Sequence, residues 1–277
     1  MSILPKFIYF GTPYVARDTL TVLVEQGFVP TLVITNPDAP KGRGHVLTPC
    51  ETKVWALEHG LTVVTPEKLD DTAVAEIKKY ACEYALVVAY GKILPESLIS
   101  AFPKGVLNVH YSLLPKYRGA SPVEAALLHD ETVTGVTIQK MVRELDAGDI
   151  LAQEEMAIGQ DETTKELKPR LIEVGARLLV ATLLRYLAGE IIPVPQDHAR
   201  ATRAPKIKKE EGKLNLSAPA FDNWRKYRAY AESPGTYFFD PPTGEGKRYK
   251  ITKAKYENNS FIVERVIPEG GREIAYR

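Results

Sequence analysis

Lys6-Phe7-Ile8-Tyr9-Phe10-Gly11-Thr12-Pro13 is a short apolar run closed by a glycine and a proline, and the pattern that follows it is helical. Val15, Leu20, Leu23 and Val24 recur at helical spacing until Gly27. A buried strand over residues 6–10 feeding an amphipathic helix is the first half of a β-α-β unit, and residues 29–35 supply its second strand. After a polar Pro/Gly loop over residues 36–49, a helix around 52–59 stops at Gly60 and a strand follows at 61–64. Asp70 then caps a helix reaching about Ala81, residues 85–90 form an apolar strand closed by Gly91, and a short helix near 95–101 precedes a strand at 106–110. Strands alternating with helices predict an α/β fold built on a Rossmann-like, mostly parallel, doubly wound sheet.

The later chain changes character. A helix at 122–129 is followed by two alternating apolar runs, 135–142 and 150–158, expected to pair as antiparallel strands on one sheet edge. A long helix from Thr163 or Thr164 to Leu187, ended by Gly189, closes the first domain. Residues 191–205 carry Pro193, Pro195 and Pro205 without helical period and read as a linker. Beyond it, short β-rich runs at 236–239, 249–251 and 261–266 and one helix at 221–231 predict a smaller, mostly-β, barrel-like domain. The expected division is a catalytic domain over 1–189, a linker over 190–206 and a β domain over 207–277.

With 277 residues, 44% apolar and 26% charged, the chain falls outside the disordered, collagen-like and disulfide-scaffold classes. Its apolar runs are far shorter than the roughly 20 residues of a membrane-spanning helix. The opening stretch is interrupted by Lys6 and has no basic leader, so it reads as a strand rather than a signal peptide. Cys50 and Cys82 form no C-x-x-C pair, as expected of reduced thiols in a cytoplasmic protein. The net charge of +1 conceals an asymmetry: residues 200–277 hold 17 Lys+Arg against 10 Asp+Glu, a surplus of +7, leaving −6 for the rest. Such a split points to a polyanionic partner for the tail.

Several chemistries are excluded by missing motifs. A dinucleotide cradle needs G-x-G-x-x-G, whereas Gly11 is followed by Thr12 and Pro13, and Gly42-x-Gly44 lacks its third glycine. The chain has no Walker A sequence, its five histidines stand at no metal-ligand spacing, and Ser112 is in no G-x-S-x-G elbow. Neither a nucleotide cofactor nor a metal is expected.

The informative segment is Asn108-Val109-His110-Tyr111-Ser112-Leu113-Leu114-Pro115-Lys116-Tyr117-Arg118-Gly119. Residues two apart in a strand share a face, so Asn108 and His110 project together near the C-terminal end of a parallel strand, where open α/β sheets place ligands. A carboxamide and an imidazole suit an oxyanion forming at a carbonyl carbon. Asp146, in Glu144-Leu145-Asp146-Ala147-Gly148-Asp149, would favour the imidazolium and take a proton if the fold brings it to His110.

Asn-x-His, Ser-Leu-Leu-Pro, Arg-Gly-Ala and Leu-Asp-Ala-Gly-Asp occur in this order across some 40 positions. The segment thereby resembles the formyltransferases that use 10-formyltetrahydrofolate. Residues 36–44, Asn-Pro-Asp-Ala-Pro-Lys-Gly-Arg-Gly, followed by Thr48-Pro49, are similar to the insertion loop of the methionyl-tRNA branch of that family. Arg228-Ala229-Tyr230 and the run from Ser233 to Tyr237 resemble the C-terminal domain of that branch.

The resemblance implies formyl transfer from the folate N10 to the α-amine of methionine on initiator methionyl-tRNA, for translation initiation. It assigns Asn108 and His110 to the oxyanion and Asp146 to orienting His110 and removing the amine proton. It places Ser112, Leu113, Leu114 and Pro115 at the folate, and Lys41 and Arg43 at the acceptor end of the tRNA. Lys206, Lys208 and Lys209, with Lys213, form one basic cluster of the tail for the tRNA body, and Lys247, Arg248, Lys250, Lys253 and Lys255 a second. A monomer with no membrane partner is expected. Two alternatives are a folate-dependent formyltransferase acting on an amino sugar nucleotide and a non-catalytic RNA-binding module. Two departures stand out: Tyr111 replaces a usual glycine, so a bulkier pocket wall is expected, and the chain ends at Arg277, earlier than the family pattern suggests.

Overall fold

The computed structural model of the protein describes residues 4–42, 44–241 and 246–276. The chain divides into two compact units, one gathering residues 1–118, 135–155 and 171–202, the other residues 119–134, 156–170 and 203–277. The first begins as the alternation predicts, with β1 (Phe7–Gly11), α1 (Tyr14–Glu25) and β2 (Leu32–Ile34). Residues 36–49, expected as a loop, instead contain β3 (Ala39–Lys41) and β4 (Val46–Thr48), paired antiparallel with Lys41 opposite Val46. The hairpin was hidden because Pro40 stands inside β3 itself, opposite Leu47, and a proline within a run argues against a strand there. Next come α2 (Glu51–Glu58), β5 (Val63–Val64), α3 (Asp71–Lys78), β6 (Tyr84–Val88), α4 (Glu96–Ile99) and β7 (Val106–His110). The Asp70 carboxylate caps α3, accepting from Ala73 N at 3.0 Å.

The two-residue β8 (Arg118–Gly119) and α5 (Pro122–Leu128) lead into β9 (Val133–Lys140), β10 (Ile150–Ala157) and α6 (Thr164–Leu187). The seven-stranded sheet runs β10-β9-β7-β6-β1-β2-β5. β5, β2, β1, β6 and β7 are mutually parallel, and β9 reverses against β7. The switch in strand order lies between β1 and β6, and β1, β6 and β7 are buried at every residue, as strands covered on both faces must be.

Alternation along β7 sorts its side chains. Val106 joins the core with Ile8, Phe10, Val87, Leu98 and Phe102. Val109 and Tyr111 face the other way, against α6: a Cβ added at Gly175 would stand 3.3 Å from Tyr111, Val109 and Val136. The Tyr111 ring therefore fills the space that Gly175 leaves. Burial pushes its hydroxyl pKa up. The expected bulkier pocket wall is not formed, because Tyr111 projects from the face opposite Asn108 and His110.

The second unit adds the two-residue β11 (Arg203–Ala204), α7 (Ala220–Ala229), β12 (Tyr237–Asp240), β13 (Lys247–Glu257), β14 (Ser260–Pro268) and β15 (Ile274–Ala275). β12 to β15 form an antiparallel sheet in chain order over a core of Leu214, Phe238, Ile251, Ala254 and Val266. Buried Arg228 of α7 donates to the carbonyls of Glu162 and Gly159 and pairs with Asp130, tying three chain segments together. Among the described residues no helix is long and apolar enough to cross a membrane.

One position controls how closely β9 and β10 approach. A Cβ at Gly135 would stand 2.2 Å from the Glu154 carbonyl oxygen and 2.5 Å from Leu113 Cδ2. Gly135→Ala is expected to cost about 1–3 kcal/mol, as overpacked cores do. Urea unfolding should show a lower midpoint at unchanged slope, and an unchanged midpoint would contradict this packing.

Candidate active site

The structure brings Asn108, His110 and Asp146 to one place although 36 residues separate His110 from Asp146 in the chain. β7 presents the first two, and the antiparallel return of β9 sets Asn108 opposite Gln139 and His110 opposite Thr137. The turn after β9 then carries Asp146 back, so that its Oδ2 lies 3.6 Å from His110 Nδ1. Asp146 adopts φ +51°, in the left-handed region where aspartate is tolerated better than most residues. The turn is tight. Lys140 N donates to Asp149 O at 2.9 Å, and a Cβ at Gly148 would stand 1.7 Å from the Lys140 carbonyl oxygen.

The hydrogen bonds around the imidazole fix its chemistry. His110 Nε2 lies 2.9 Å from the Tyr117 carbonyl oxygen, which can only accept, so Nε2 carries a proton and donates it there. Nδ1 is left as the ring nitrogen for proton traffic, facing a carboxylate just beyond hydrogen-bond length. Asp146 Oδ1 accepts from Gln139 Nε2 at 3.0 Å. Two polar groups keep unused capacity: Gln139 Oε1 is buried without a partner, and the Asn108 carboxamide makes no hydrogen bond among the described residues. A neutral donor, an imidazole and a held carboxylate can bind a carbonyl oxygen, stabilise charge on it and accept a proton from an attacking amine.

The segment at 112–115 divides by role. Ser112 is fully buried and its hydroxyl donates to Lys116 O at 2.6 Å. Leu114 is buried, its N–H donating to Thr137 Oγ1 and its carbonyl accepting from Gln153 Nε2. Leu113 and Pro115 are half-buried, so their side chains offer apolar surface while Ser112 and Leu114 shape the turn. Lys41 lies on β3 with its ammonium 2.8 Å from Glu51, a contact that raises the lysine pKa and lowers that of Glu51. Arg43 lies outside the described residues. Lys206, Lys208 and Lys209 are in the second unit, with Lys208 and Lys209 at a 3₁₀ turn where Lys208 N donates to Glu211.

Sequence reasoning missed the residues that hold Asp146 in place. Gln196, in the proline-rich segment after α6, is buried and donates from Nε2 to Asp146 O at 2.9 Å and Gly148 O at 2.7 Å. Its Oε1 accepts from buried Arg118 at 2.7 Å and 3.1 Å, and Arg118 also lies against His198 Nδ1 at 3.0 Å. For Thr137 and Gln139 there was a signal: two polar residues in phase, alternating with Val136 and Ile138, which mark a buried face with polar work. Gln196 had none, because 50 residues separate it from Asp146.

Residues 6–183 match the formyl transferase family and residues 206–272 match the formyl transferase C-terminal domain. The chain belongs to the formyltransferase family. Among its curated relatives, the methionyl-tRNA formyltransferase of Myxococcus xanthus is 39% identical over 98% of this chain and 86% of the relative. The methionyl-tRNA formyltransferase of Heliobacterium modesticaldum is 41% identical over 92% of this chain and 80% of the relative. These are members of the branch that the motifs of this formyltransferase chain resemble. A solved N-formyltransferase of Helicobacter canadensis, in complex with folinic acid and dTDP-3-aminofucose, shares the fold: TM-score 0.70 at 19% identity, covering 98% of this chain and 99% of the other.

The Arg118–Gln196 pair acts on the Asp146 turn without contacting the imidazole. Gln196→Leu is expected to leave the fold intact and to lower turnover by up to about 10²-fold, the scale of a misplaced catalytic group. Amide exchange around residues 146–148 should accelerate in the same variant. Unchanged turnover with unchanged exchange would show that Gln196 does not hold the turn.

Proposed function

We propose that this chain transfers the formyl group of 10-formyltetrahydrofolate to the α-amine of methionine on initiator methionyl-tRNA, as a monomeric cytoplasmic enzyme of translation initiation. One observation carries the reading: Asn108, His110 and Asp146 converge at the C-terminal end of β7 in a chain similar to methionyl-tRNA formyltransferases through nearly its whole length. The unused acceptor of Gln139 and the unpartnered Asn108 amide support a bound polar ligand at this place. Leu113 and Pro115 add apolar surface suited to a folate ring.

The folate supplies a formyl carbon bonded to N10, and the chain's residues do the rest. Asn108 donates to the formyl oxygen, most strongly as negative charge builds there. His110, anchored through Nε2 on Tyr117 O, presents Nδ1 to the same centre. Attack requires a neutral amine, so a base must take its proton as the new C–N bond forms. Asp146 is that base, its Oδ2 held 3.6 Å from His110 Nδ1 at the same strand end. The proton passes to the departing folate nitrogen as the old C–N bond breaks, so the carboxylate is regenerated. Lys41 and Arg43 contact the acceptor end of the tRNA, with Lys41 exchanging Glu51 for a phosphate. Lys206, Lys208 and Lys209 contact the tRNA body through its phosphates.

The deciding assay offers the full chain 10-formyltetrahydrofolate with charged initiator tRNA, and separately with an amino sugar nucleotide. Formylmethionine on the tRNA is the expected product. Asn108→Ala and His110→Ala should each lower kcat by roughly 10² to 10⁴ while the protein stays folded. Formylation of the sugar and not of the tRNA would overturn the reading, and so would binding of tRNA without any transfer.

A further inference from the structure

Tyr117 is a buried, bulky residue at φ +62°, in the left-handed region that a tyrosine adopts only where its surroundings hold it there. The same backbone sets the imidazole, because the Tyr117 carbonyl oxygen takes the Nε2 proton of His110 at 2.9 Å. The residue that holds Tyr117 in this conformation lies 85 positions further along the chain.

That residue is Thr202. Tyr117 N donates to Thr202 Oγ1 at 2.8 Å, Arg118 N donates to Thr202 O at 2.9 Å, and Thr202 N donates to Pro115 O at 3.3 Å. The first two bonds anchor the peptide planes on either side of the Tyr117 Cα. Fixing two successive planes fixes the φ and ψ between them. The bond from Arg118 N does more. The N–H and C=O of one trans peptide point in opposite directions, so the plane whose N–H is held by Thr202 O has its carbonyl aimed away from Thr202, at His110.

The aim of that carbonyl decides where the imidazole keeps its proton. A neutral imidazole has one N–H, and His110 has an acceptor at each edge: Tyr117 O at 2.9 Å from Nε2 and Asp146 Oδ2 at 3.6 Å from Nδ1. With the carbonyl aimed at the ring, the proton stays on Nε2. With the carbonyl turned aside, the carboxylate draws the proton to Nδ1, and a single bond then occupies both the imidazole edge and the base. One peptide orientation therefore separates a working arrangement from a self-paired one.

Thr202 lies in the stretch between α6 and α7 that also supplies Gln196 to the Asp146 turn. Its side chain is exposed, so the hydroxyl contributes no core packing, and its printed bond is the one to Tyr117 N. Water can satisfy the same N–H, but a mobile partner does not fix a peptide plane. We propose that Thr202 is a positioning residue for the imidazole: its hydroxyl holds Tyr117 in the left-handed conformation and so keeps the His110 proton on Nε2. The inference rests on the proposed function only in taking His110 as the imidazole of formyl transfer.

The experiment compares two substitutions in the full chain. Thr202→Val keeps the branched shape and removes the acceptor, whereas Thr202→Ser keeps the acceptor. Both should stay folded, because the side chain is exposed. In Thr202→Val, kcat for formylmethionyl-tRNA formation is expected to fall about 10- to 10²-fold, with KM for folate and for tRNA changed by less than about threefold, as for a misplaced catalytic group. Thr202→Ser should stay within about threefold of wild type. The second readout is the imidazole nitrogen–proton correlation spectrum of the substrate-free protein at a pH where the ring is neutral, with the His110 signals assigned by their loss in His110→Ala. It should show Nε2–H in the wild type and in Thr202→Ser, and Nδ1–H in Thr202→Val. Retention of Nε2–H in Thr202→Val would overturn the proposal whatever the turnover, and so would an equal loss of turnover in the serine variant. The spectrum needs no substrate, so a wild-type chain that forms no formylmethionine ends the formylation reading and leaves this test decisive, while an unmoved tautomer leaves the formylation reading standing.

Discussion

The antiparallel return of β9 against β7 is the constraint on which the rest of the site depends. A parallel sheet alone would end at β7 and leave Asn108 and His110 at a strand tip with no carboxylate near them. Because β9 reverses, Gln139 and Thr137 stand opposite Asn108 and His110, and the chain beyond β9 must turn back over the same strand end. Met141 N donates to Val106 O at 2.7 Å, which keeps that turn on β7. Asp146 thereby arrives beside His110 through backbone geometry that Gly148 permits and that no larger residue would.

Within this frame the proton inventory is narrow. Tyr117 O takes the Nε2 proton of His110, Gln139 fixes one carboxylate oxygen of Asp146, and Gln196 holds the carbonyl of the same residue. Beside these bonds stand Nδ1, with Asp146 Oδ2 at 3.6 Å, and the Asn108 amide, which makes no hydrogen bond among the described residues. These are the groups that the proposed transfer needs: one donor for a developing oxyanion, one imidazole edge and one base. Their supports are buried and bonded, so they are aligned before a substrate enters, which is how positioned dipoles in a dry site act strongly.

The fold was legible wherever local pattern and tertiary outcome agree. β7 runs from Val106 to His110 as the period-2 reading placed it, the Asp70 cap is present, and the two runs after α5 became neighbouring strands at one sheet edge. The hairpin formed by β3 and β4 was hidden because Pro40 stands within its first strand. Asn108 and His110 were legible because strand alternation is a local rule. Arg118 and Gln196 were not, because a bond across 78 residues leaves no periodic trace. Charge behaved in the same way. A surplus of basic residues is countable in the sequence, whereas whether Lys253 meets Glu264 or Arg248 meets Tyr237 depends on strand register.

The account stands on His110 and Asp146 working as one unit rather than as two separate contributors. The direct measurement is a double-mutant cycle on single-turnover formyl transfer with His110→Ala, Asp146→Asn and the double variant, at saturating folate and charged tRNA. Groups that act together lose their effect together, so the double variant is expected to be no slower than the slower single variant by more than about threefold. Losses that multiply across the two substitutions would show independent action and would contradict the site described.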